Sequence, residues 1–493
     1  MKYILSIDQG TTGTTAALLK ADDLTFVAKI NREFPQIFPK PGLVEHNLKD
    51  IWASIGSTVT EVITMANISP SDIVSIGITN QRETICPFNI AGDPLHNAIV
   101  WQDRRTAEYC KSLDSEKKKS IKRKTGLPTD PYFSGTKAKW LIDNVETVKE
   151  AQINEDLRLG TIDTFILYKL TSGESFYTEA SNASRTLLYD IHKNKWSTEL
   201  TELFGIKISS LPEVKPSFGE FGKTRGLSFL PDGIPITGIL GDQQAALFGQ
   251  GGLTKGKSKC TYGTGAFFLM NTGTEAISSE NGLLTTIAYQ DNENTYYALE
   301  GSCYIAGAAV QWLRDSLQMI ESAPAVETLA RKASDDSCEN ILFLPFFTGL
   351  GSPHWISNSQ AAIVGLTRDS GKEQIARATL EGISLSINDL LQSVEEDSGM
   401  NLKELRVDGG AVANNFLMEI QANISGLKVI RPVVIETTVF GAACASAVGA
   451  NLLSKDNLSE VVEIDKEFEP KENLHYESKK KDLWNKYIKK LYL

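Results

Sequence analysis

The chain has 493 residues, 41% hydrophobic and 23% charged, with 50 Lys and Arg against 61 Asp and Glu for a formal charge of −11. That length exceeds what one hydrophobic core usually supports, so two large domains are expected. The acidic balance argues against generic binding to nucleic acid or to an anionic membrane, and no apolar run is long enough to insert into one.

Residues 3–7 predict a short strand that delivers Asp8-Gln-Gly-Thr-Thr-Gly-Thr-Thr15, and residues 16–19 resume an apolar strand. Such a Gly/Thr turn gathers backbone N–H and hydroxyl donors, which can form a concave anion site for phosphate. Asp8 on its shoulder could hold Mg²⁺ directly or through water. An ordinary hairpin opening a domain is the alternative from this stretch alone. Asp8 also interrupts the opening apolar run too early for a signal peptide. The six cysteines lack any CxxC pattern and read as free thiols of a reducing, cytoplasmic compartment. Five separated histidines supply no multi-histidine metal site.

A helix is predicted over 48–65, and a strand over 73–78 that ends in the polar run 79–84. Residues 99–105 repeat that design, an apolar strand opening onto charge. The Lys-rich stretch 111–124 reads as a solvated helix face. Helical spacing follows at 137–142 and 163–170, then a Gly/Pro-punctuated passage, 211–235, with strand fragments. The strand 236–240 ends at Gly241-Asp-Gln-Gln244 and leads into a small-residue helix, 245–248. The domain boundary is placed near Gln250, giving domains 1–249 and 250–493.

The second half echoes the first: residues 260–269 again read strand, Gly/Thr turn, strand, an internal repeat half a chain away. Helices are predicted over 308–317 and 372–395, and a strand over 405–407 ends in Asp408-Gly-Gly-Ala-Val-Ala-Asn414. Leu483, Trp484, Tyr487, Ile488 and Leu491 follow helical spacing, so the C-terminus is an amphipathic helix lying on the body. Residues 251–258 fit the pattern GxxxxGK[ST], but a P-loop follows a strand and opens a helix; here the predicted order is reversed.

Six stretches, taken in order, carry a resemblance. They are Gly77-Ile-Thr-Asn-Gln-Arg-Glu-Thr84, Asp130-Pro-Tyr-Phe-Ser-Gly-Thr-Lys137, Asn182-Ala-Ser-Arg185, Gly241-Asp-Gln-Gln-Ala-Ala-Leu-Phe-Gly249, Thr261-Tyr-Gly-Thr-Gly265 and Asp408-Gly-Gly-Ala-Val-Ala-Asn-Asn415. With the opening hairpin they resemble the FGGY carbohydrate kinases of the actin/hexokinase/Hsp70 superfamily, most closely the members that phosphorylate glycerol. The resemblance runs nearly end to end. It implies an α/β fold of two actin-like (ribonuclease H-like) ATPase domains, with mixed sheets flanked by helices and the active site in the cleft between them. It implies ATP and Mg²⁺ as cofactors, glycerol as substrate and a homo-oligomer, dimer or tetramer.

Residue by residue, it gives Arg82, Glu83, Trp101, Tyr132, Asp242, Gln243 and Phe267 as the polyol site, with Asp242 as catalytic base. It gives Thr11, Thr12, Gly13, Thr264, Gly307, Gln311, Gly410 and Asn414 as nucleotide contacts, and Asp8 as the metal ligand. The chemistry agrees, because a polyol hydroxyl both donates and accepts and needs paired partners such as Arg82 with Glu83. Two features depart from the pattern. Gly13-Thr14-Thr15 stands where glycerol-phosphorylating members usually read Ser-Ser-Arg, and the Gly-rich, Arg-containing inhibitor loop of bacterial members is not recognisable around 222–233. A sister kinase of a ketopentose or longer polyol is one alternative, against which residues 80–84 favour glycerol. A non-catalytic ATPase switch is the other, and it would not need Asp242 with its polyol shell.

Overall fold

The computed structural model describes residues 1–356 and 358–493. Six strands form a first sheet in the order Phe218–Lys223, Pro235–Gly241, Ile73–Asn80, Tyr3–Gln9, Gly13–Lys20 and Phe26–Glu33. Its centre is parallel and its margins antiparallel. A seven-stranded sheet runs Leu284–Gln290, Thr295–Cys303, Ala266–Gly273, Ser258–Tyr262, Glu404–Asp408, Lys428–Pro432 and Ile464–Phe468. Set aside its first strand and the two sheets match strand for strand, parallel pair for parallel pair. The repeat expected from two hairpins thus extends over both whole sheets.

The helix Leu48–Ala66 shows why these residues take these forms. Asn47 caps it by accepting from the Lys49 N–H at 2.8 Å, and Asn67 closes it in the left-handed region. Leu48, Ile51, Ile55, Val59 and Val62 fall on one face and are buried against the first sheet. Each such side chain contributes about 1.5–3 kcal/mol relative to exposure. The opposite face of that sheet is covered by a helix from the second half, Thr437–Gly449. Small residues permit the approach: a Cβ at Gly77 would stand 2.1 Å from the Ala442 carbonyl oxygen, and one at Gly238 2.4 Å from the Ala445 backbone. Ser6 seals the contact by donating to the Val439 carbonyl at 2.6 Å.

Most predicted elements stand within a residue or three of their expected bounds. The strand expected over 99–105 shrinks to Ala98–Ile99, because Trp101 to Arg105 turn away to make side-chain contacts. The C-terminal helix His475–Leu491 buries Trp484 and Ile488, whereas Leu491 is 45% exposed beyond the edge of the body. Residues 251–258 lie between the helix Asp242–Gly249 and the strand Ser258–Tyr262, which is not P-loop geometry. All six cysteines are buried and free, and among the described residues no helix is long and apolar enough to cross a membrane.

Candidate active site

Strand register decides which side chains meet between the sheets, because residues opposite one another in a ladder share a face. On the second sheet one row reads Ser302, Phe267, Thr261 and Asp408, and the next reads Glu300, Leu269, Lys259 and Arg406. Leu269 packs with Leu240 and Ala245 of the first half, so this face looks onto the first half. On the first sheet Asp8 lies in a row with Thr79, Thr15 and Asn31, and the strand beyond ends at Gly241, where the helix Asp242–Gly249 starts.

Five charged side chains converge here. Arg82 and Glu83 follow the end of Ile73–Asn80 in a tight loop in which Glu83 takes φ +61°, a conformation a non-glycine residue adopts only when its surroundings hold it. The Ser134 hydroxyl donates to the Glu83 carbonyl at 2.8 Å, and Thr84 N–H donates to the Arg82 carbonyl at 2.7 Å. Arg82 donates from Nη1 and Nη2 to the two oxygens of Glu300 at 2.6 and 2.8 Å, and from Nη1 to Gln244 Oε1 at 3.1 Å. Its Nε stands 3.1 Å from Asp242 Oδ1 without alignment into a hydrogen bond. Arg185 donates from Nε to Glu83 at 2.6 Å and from Nη2 to Glu300 at 3.0 Å.

All but Asp242 are buried to 2% exposure or less; the Asp242 side chain is 30% exposed at the mouth of the network. Burial alone would raise Glu300, but the Arg185 and Arg82 guanidiniums bring it down to about 2. Burial raises Glu83 despite the same two arginines. Among the described residues, Arg82 Nε and Arg185 Nη1 have no hydrogen-bond partner. Buried charged donors without partners are costly, so they suit a ligand rich in acceptor oxygens.

The apolar wall comes next. Trp101 and Tyr132 meet edge to face at 5.5 Å between ring centroids. Lys137, fully buried, donates to the carbonyls of Val100 at 2.7 Å and Tyr132 at 3.1 Å, and so fastens both aromatic segments. The Trp101 indole N–H donates to the Thr11 hydroxyl at 2.9 Å, tying this wall directly to the first Gly/Thr turn. Gln243 accepts on Oε1 from Lys259, whose ammonium also reaches Thr261 Oγ1 at 2.7 Å and the Phe267 carbonyl at 3.4 Å. Burial lowers Lys259, opposed by Asp408.

The other predicted residues lie along backbone turns. The carbonyls of Gly263 and Thr264 accept the N–H groups of Ala306, Gly307 and Ala308 at 2.8–3.1 Å, clamping the second Gly/Thr turn onto the helix Gly307–Asp315. Thr264 and Gln311 are exposed beside it. A Cβ at Gly307 would stand 2.6 Å from the Gly263 oxygen, while nothing lies within 4 Å of one at Gly410. Asn414 caps the helix Asn415–Ser425 by accepting from Leu417 N–H at 2.9 Å. In the first turn Thr12 is exposed and Thr11 half-buried. Gly13 has no room for the serine common at that place, since a Cβ would stand 2.8 Å from the Arg32 oxygen.

Asp8 is pushed up to about 7 by burial, then by Asp242 and Glu436. Among the described residues no group of three or more His, Cys, Asp or Glu could cage a metal. A single half-buried carboxylate fits Mg²⁺, which keeps most of its shell as water and phosphate oxygens.

Arg185 and Glu300 were not among the expected site residues. Arg185 had a signal, since it ends the motif Asn182-Ala-Ser-Arg185, but Glu300 had none.

Known proteins give the same outline. Residues 3–249 match the N-terminal domain, and residues 258–450 the C-terminal domain, of the FGGY family of carbohydrate kinases. The chain is 46% identical over 494 residues to glycerol kinase of Listeria monocytogenes serovar 1/2a, covering 99% of this chain and 98% of that protein. It is 48% identical over 475 residues to glycerol kinase of Bdellovibrio bacteriovorus, covering 95% of each. The crystal structure of Plasmodium falciparum glycerol kinase with ADP superposes with a TM-score of 0.92 at 35% identity, covering 100% of this chain and 99% of that one. Xylulose kinase from Lactobacillus acidophilus shares the fold, with a TM-score of 0.88 at 21% identity over 99% and 97% of the two chains.

Proposed function

The chain belongs to the FGGY family of carbohydrate kinases, and from that membership we propose that it transfers the γ-phosphoryl group of ATP to glycerol, giving sn-glycerol 3-phosphate and ADP. Identity of 46–48% to glycerol kinases over nearly the whole chain, against 21% to a xylulose kinase, favours glycerol over a ketopentose. The observation that carries the chemistry is Asp242 at the mouth of the buried charge network. Its Oδ1 already accepts from Gln243 N–H at 2.7 Å and faces Arg82 Nε, which leaves Oδ2 for an acceptor hydroxyl.

Asp242 takes the proton of that hydroxyl as the phosphoryl group arrives. Arg82 and Glu83 orient the acceptor: Arg82 keeps one free N–H on Nη2 besides Nε, and Glu83 keeps Oε2, so a donor and an acceptor stand side by side. Gln243 presents its amide N–H₂, because its oxygen is held by Lys259. Trp101, Tyr132 and Phe267 cover the carbon chain and exclude water that would compete as phosphoryl acceptor. The nucleotide lies along the two Gly/Thr turns and the turn at Gly410, with Thr11, Thr12, Gly13, Thr264, Gly307, Gln311 and Asn414 around it. Asp8 would hold Mg²⁺, which when bound would neutralise phosphate charge. The division at Gln250 is the joint about which the halves 1–249 and 250–493 close. The same reading makes the enzyme cytoplasmic and a dimer or tetramer, which sedimentation checks.

Incubation with Mg-ATP and glycerol is expected to give ADP and glycerol phosphate in equal amounts, with slow ADP release when glycerol is left out. Release of inorganic phosphate at a rate indifferent to glycerol would mean an ATPase switch. A sugar phosphate formed only from xylulose or ribulose would mean a pentulose kinase.

A further inference from the structure

Glu300 lies on the strand Thr295–Cys303 in the second half, 1% exposed, in the face that looks onto the first half. Its nearest ladder neighbours on that face are Leu269 and Leu284, with Lys259 one strand further along the same row. Every side chain that hydrogen bonds to its carboxylate comes from across the boundary. Oε2 accepts from Arg82 Nη1 at 2.6 Å, and Oε1 accepts from both Arg82 Nη2 at 2.8 Å and Arg185 Nη2 at 3.0 Å. The pair with Arg82 is the fork-to-fork arrangement that fixes a guanidinium in direction as well as position.

We propose that Glu300 is the positioning residue of the acceptor site. It does not touch the polyol; it sets the direction in which Arg82 presents its Nε edge to Asp242 and in which Arg185 holds Glu83. The inference rests on the kinase reading above. Charge balance explains why a carboxylate is required. Two buried guanidiniums share three carboxylates, Glu83, Asp242 and Glu300. Without the charge of Glu300, Arg82 is left with Asp242 as its nearest anion, already 3.1 Å from Nε, and turns its fork onto it. That closes Oδ2 to the acceptor hydroxyl and moves the edge meant for the polyol. A misplacement of about 1 Å in such a site costs about 10²-fold in rate. Because Glu300 and its two arginines come from opposite halves, the acceptor site is complete only when the halves are docked at this joint.

The test compares Glu300→Gln with Glu300→Asp and with Arg82→Gln, alone and combined, after wild type has been shown to make glycerol phosphate. Glu300→Gln is expected to lower kcat by about 10²-fold and to raise the KM for glycerol at least about ten-fold, while the KM for ATP stays within about three-fold. Glu300→Asp, which keeps the charge, is expected to recover about ten-fold of the lost kcat. In the Arg82→Gln background, Glu300→Gln is expected to cost no more than about five-fold further, well below its loss in wild type, since only the single bond to Arg185 is left for it to position. Wild-type glycerol kinetics in Glu300→Gln, equal losses for ATP and glycerol, or a full additional loss in the Arg82→Gln background would each overturn the inference and leave the functional reading intact. Failure of wild type to phosphorylate glycerol would overturn that reading instead. Should Glu300→Gln not fold, Glu300→Asp carries the same comparison: unchanged glycerol KM and kcat would sink the proposal.

Discussion

The two sides of the proposed site, one for the acceptor and one for the nucleotide, are built from different materials. The acceptor side is made of side chains, with Arg82, Glu83, Arg185 and Glu300 locked in ion pairs, Asp242 at their edge and Trp101 and Tyr132 as a wall. The nucleotide side is made of backbone, with turns pressed so closely together that glycine is required at the contacts. A Cβ at Gly265 would stand 2.5 Å from the Cys303 oxygen, and one at Gly409, at φ +88°, 2.7 Å from the Tyr262 oxygen. Charged side chains can tell one polyol from another by leaving the wrong one with unpaired groups. Backbone turns bind what is common to every nucleoside triphosphate, the phosphates, by N–H groups and shape. Substitutions on the acceptor side should therefore change rate and acceptor selectivity, whereas those on the nucleotide side should change affinity by steric means.

The largest break in that contrast is expected at Asp242. Asp242→Asn keeps the shape and removes the base, so kcat should fall by ~10²–10⁴-fold. ADP affinity, measured by calorimetry, should stay within a few-fold of wild type. A variant with nearly wild-type kcat would mean that another group takes the proton.

The acceptor side should also be the acid-sensitive one. His46 is fully buried beneath the loop of Arg82 and Glu83, hydrogen bonded to Gln36 at 2.7 Å and Gln81 at 3.3 Å, and burial lowers it to about 4. Its folded value lies below the ordinary value near 6.5, so protonation favours the unfolded chain. The stability that neutral His46 secures is present above about pH 6.5 and is lost as the pH falls towards 4, by about 3 kcal/mol over that window. Melting curves of wild type and His46→Gln across pH 7 to 4 should converge as the pH falls. Parallel curves would show that other groups govern the acid limb.

A smaller effect is expected from Gly307→Ala. The added methyl would stand 2.6 Å from the Gly263 oxygen and push the second Gly/Thr turn off its helix. Overpacking of this kind costs about 1–3 kcal/mol, so ADP affinity should fall by about ten-fold with the KM for glycerol little changed. A glycerol KM that rises equally would show that the two sides are not separable.

The same contrast explains what could be read in the sequence. Glycine-rich turns are local: the chain that makes the turn carries its glycines, so 8–15, 261–265 and 408–414 were legible, as were the strands that deliver them. Arg82, Glu83 and Asp242 were named through the family resemblance, and each stands just past the end of a strand. Glu300 and Lys259 were not. Each sits in a strand buried on both faces, where no alternation marks a side, and what it meets is fixed by how the second sheet docks on the first, a relation between residues more than 200 positions apart for Arg82 and Glu300. The length of the strand at Ala98–Ile99 was missed for a similar reason, since Trp101 turns to reach Thr11 ninety residues away.

The smallest effect, and the sharpest probe of the nucleotide side, concerns Thr15. It pairs with Asp8 across the first hairpin, so the two side chains share a face. Thr14 points the other way, its hydroxyl against Ser54 at 2.7 Å. Position 15 is therefore the one in this hairpin from which a cation could join the cleft, and Thr15 fills it with a hydroxyl that accepts from Asn31 Nδ2 at 2.9 Å. Thr15→Arg would add a charged fork able to reach phosphate, worth about 1.5–3 kcal/mol where such a bond forms. Two things subtract from it: the lost bond to Asn31, about 0.5–1.5 kcal/mol, and the competing carboxylate of Asp8 on the same face. The remainder is about 1 kcal/mol, so the KM for ATP should fall by about five-fold at constant KM for glycerol, measured by initial rates with each substrate varied in turn. An unchanged or higher KM for ATP would mean that the backbone turns alone already supply the grip on phosphate that a side-chain cation would add.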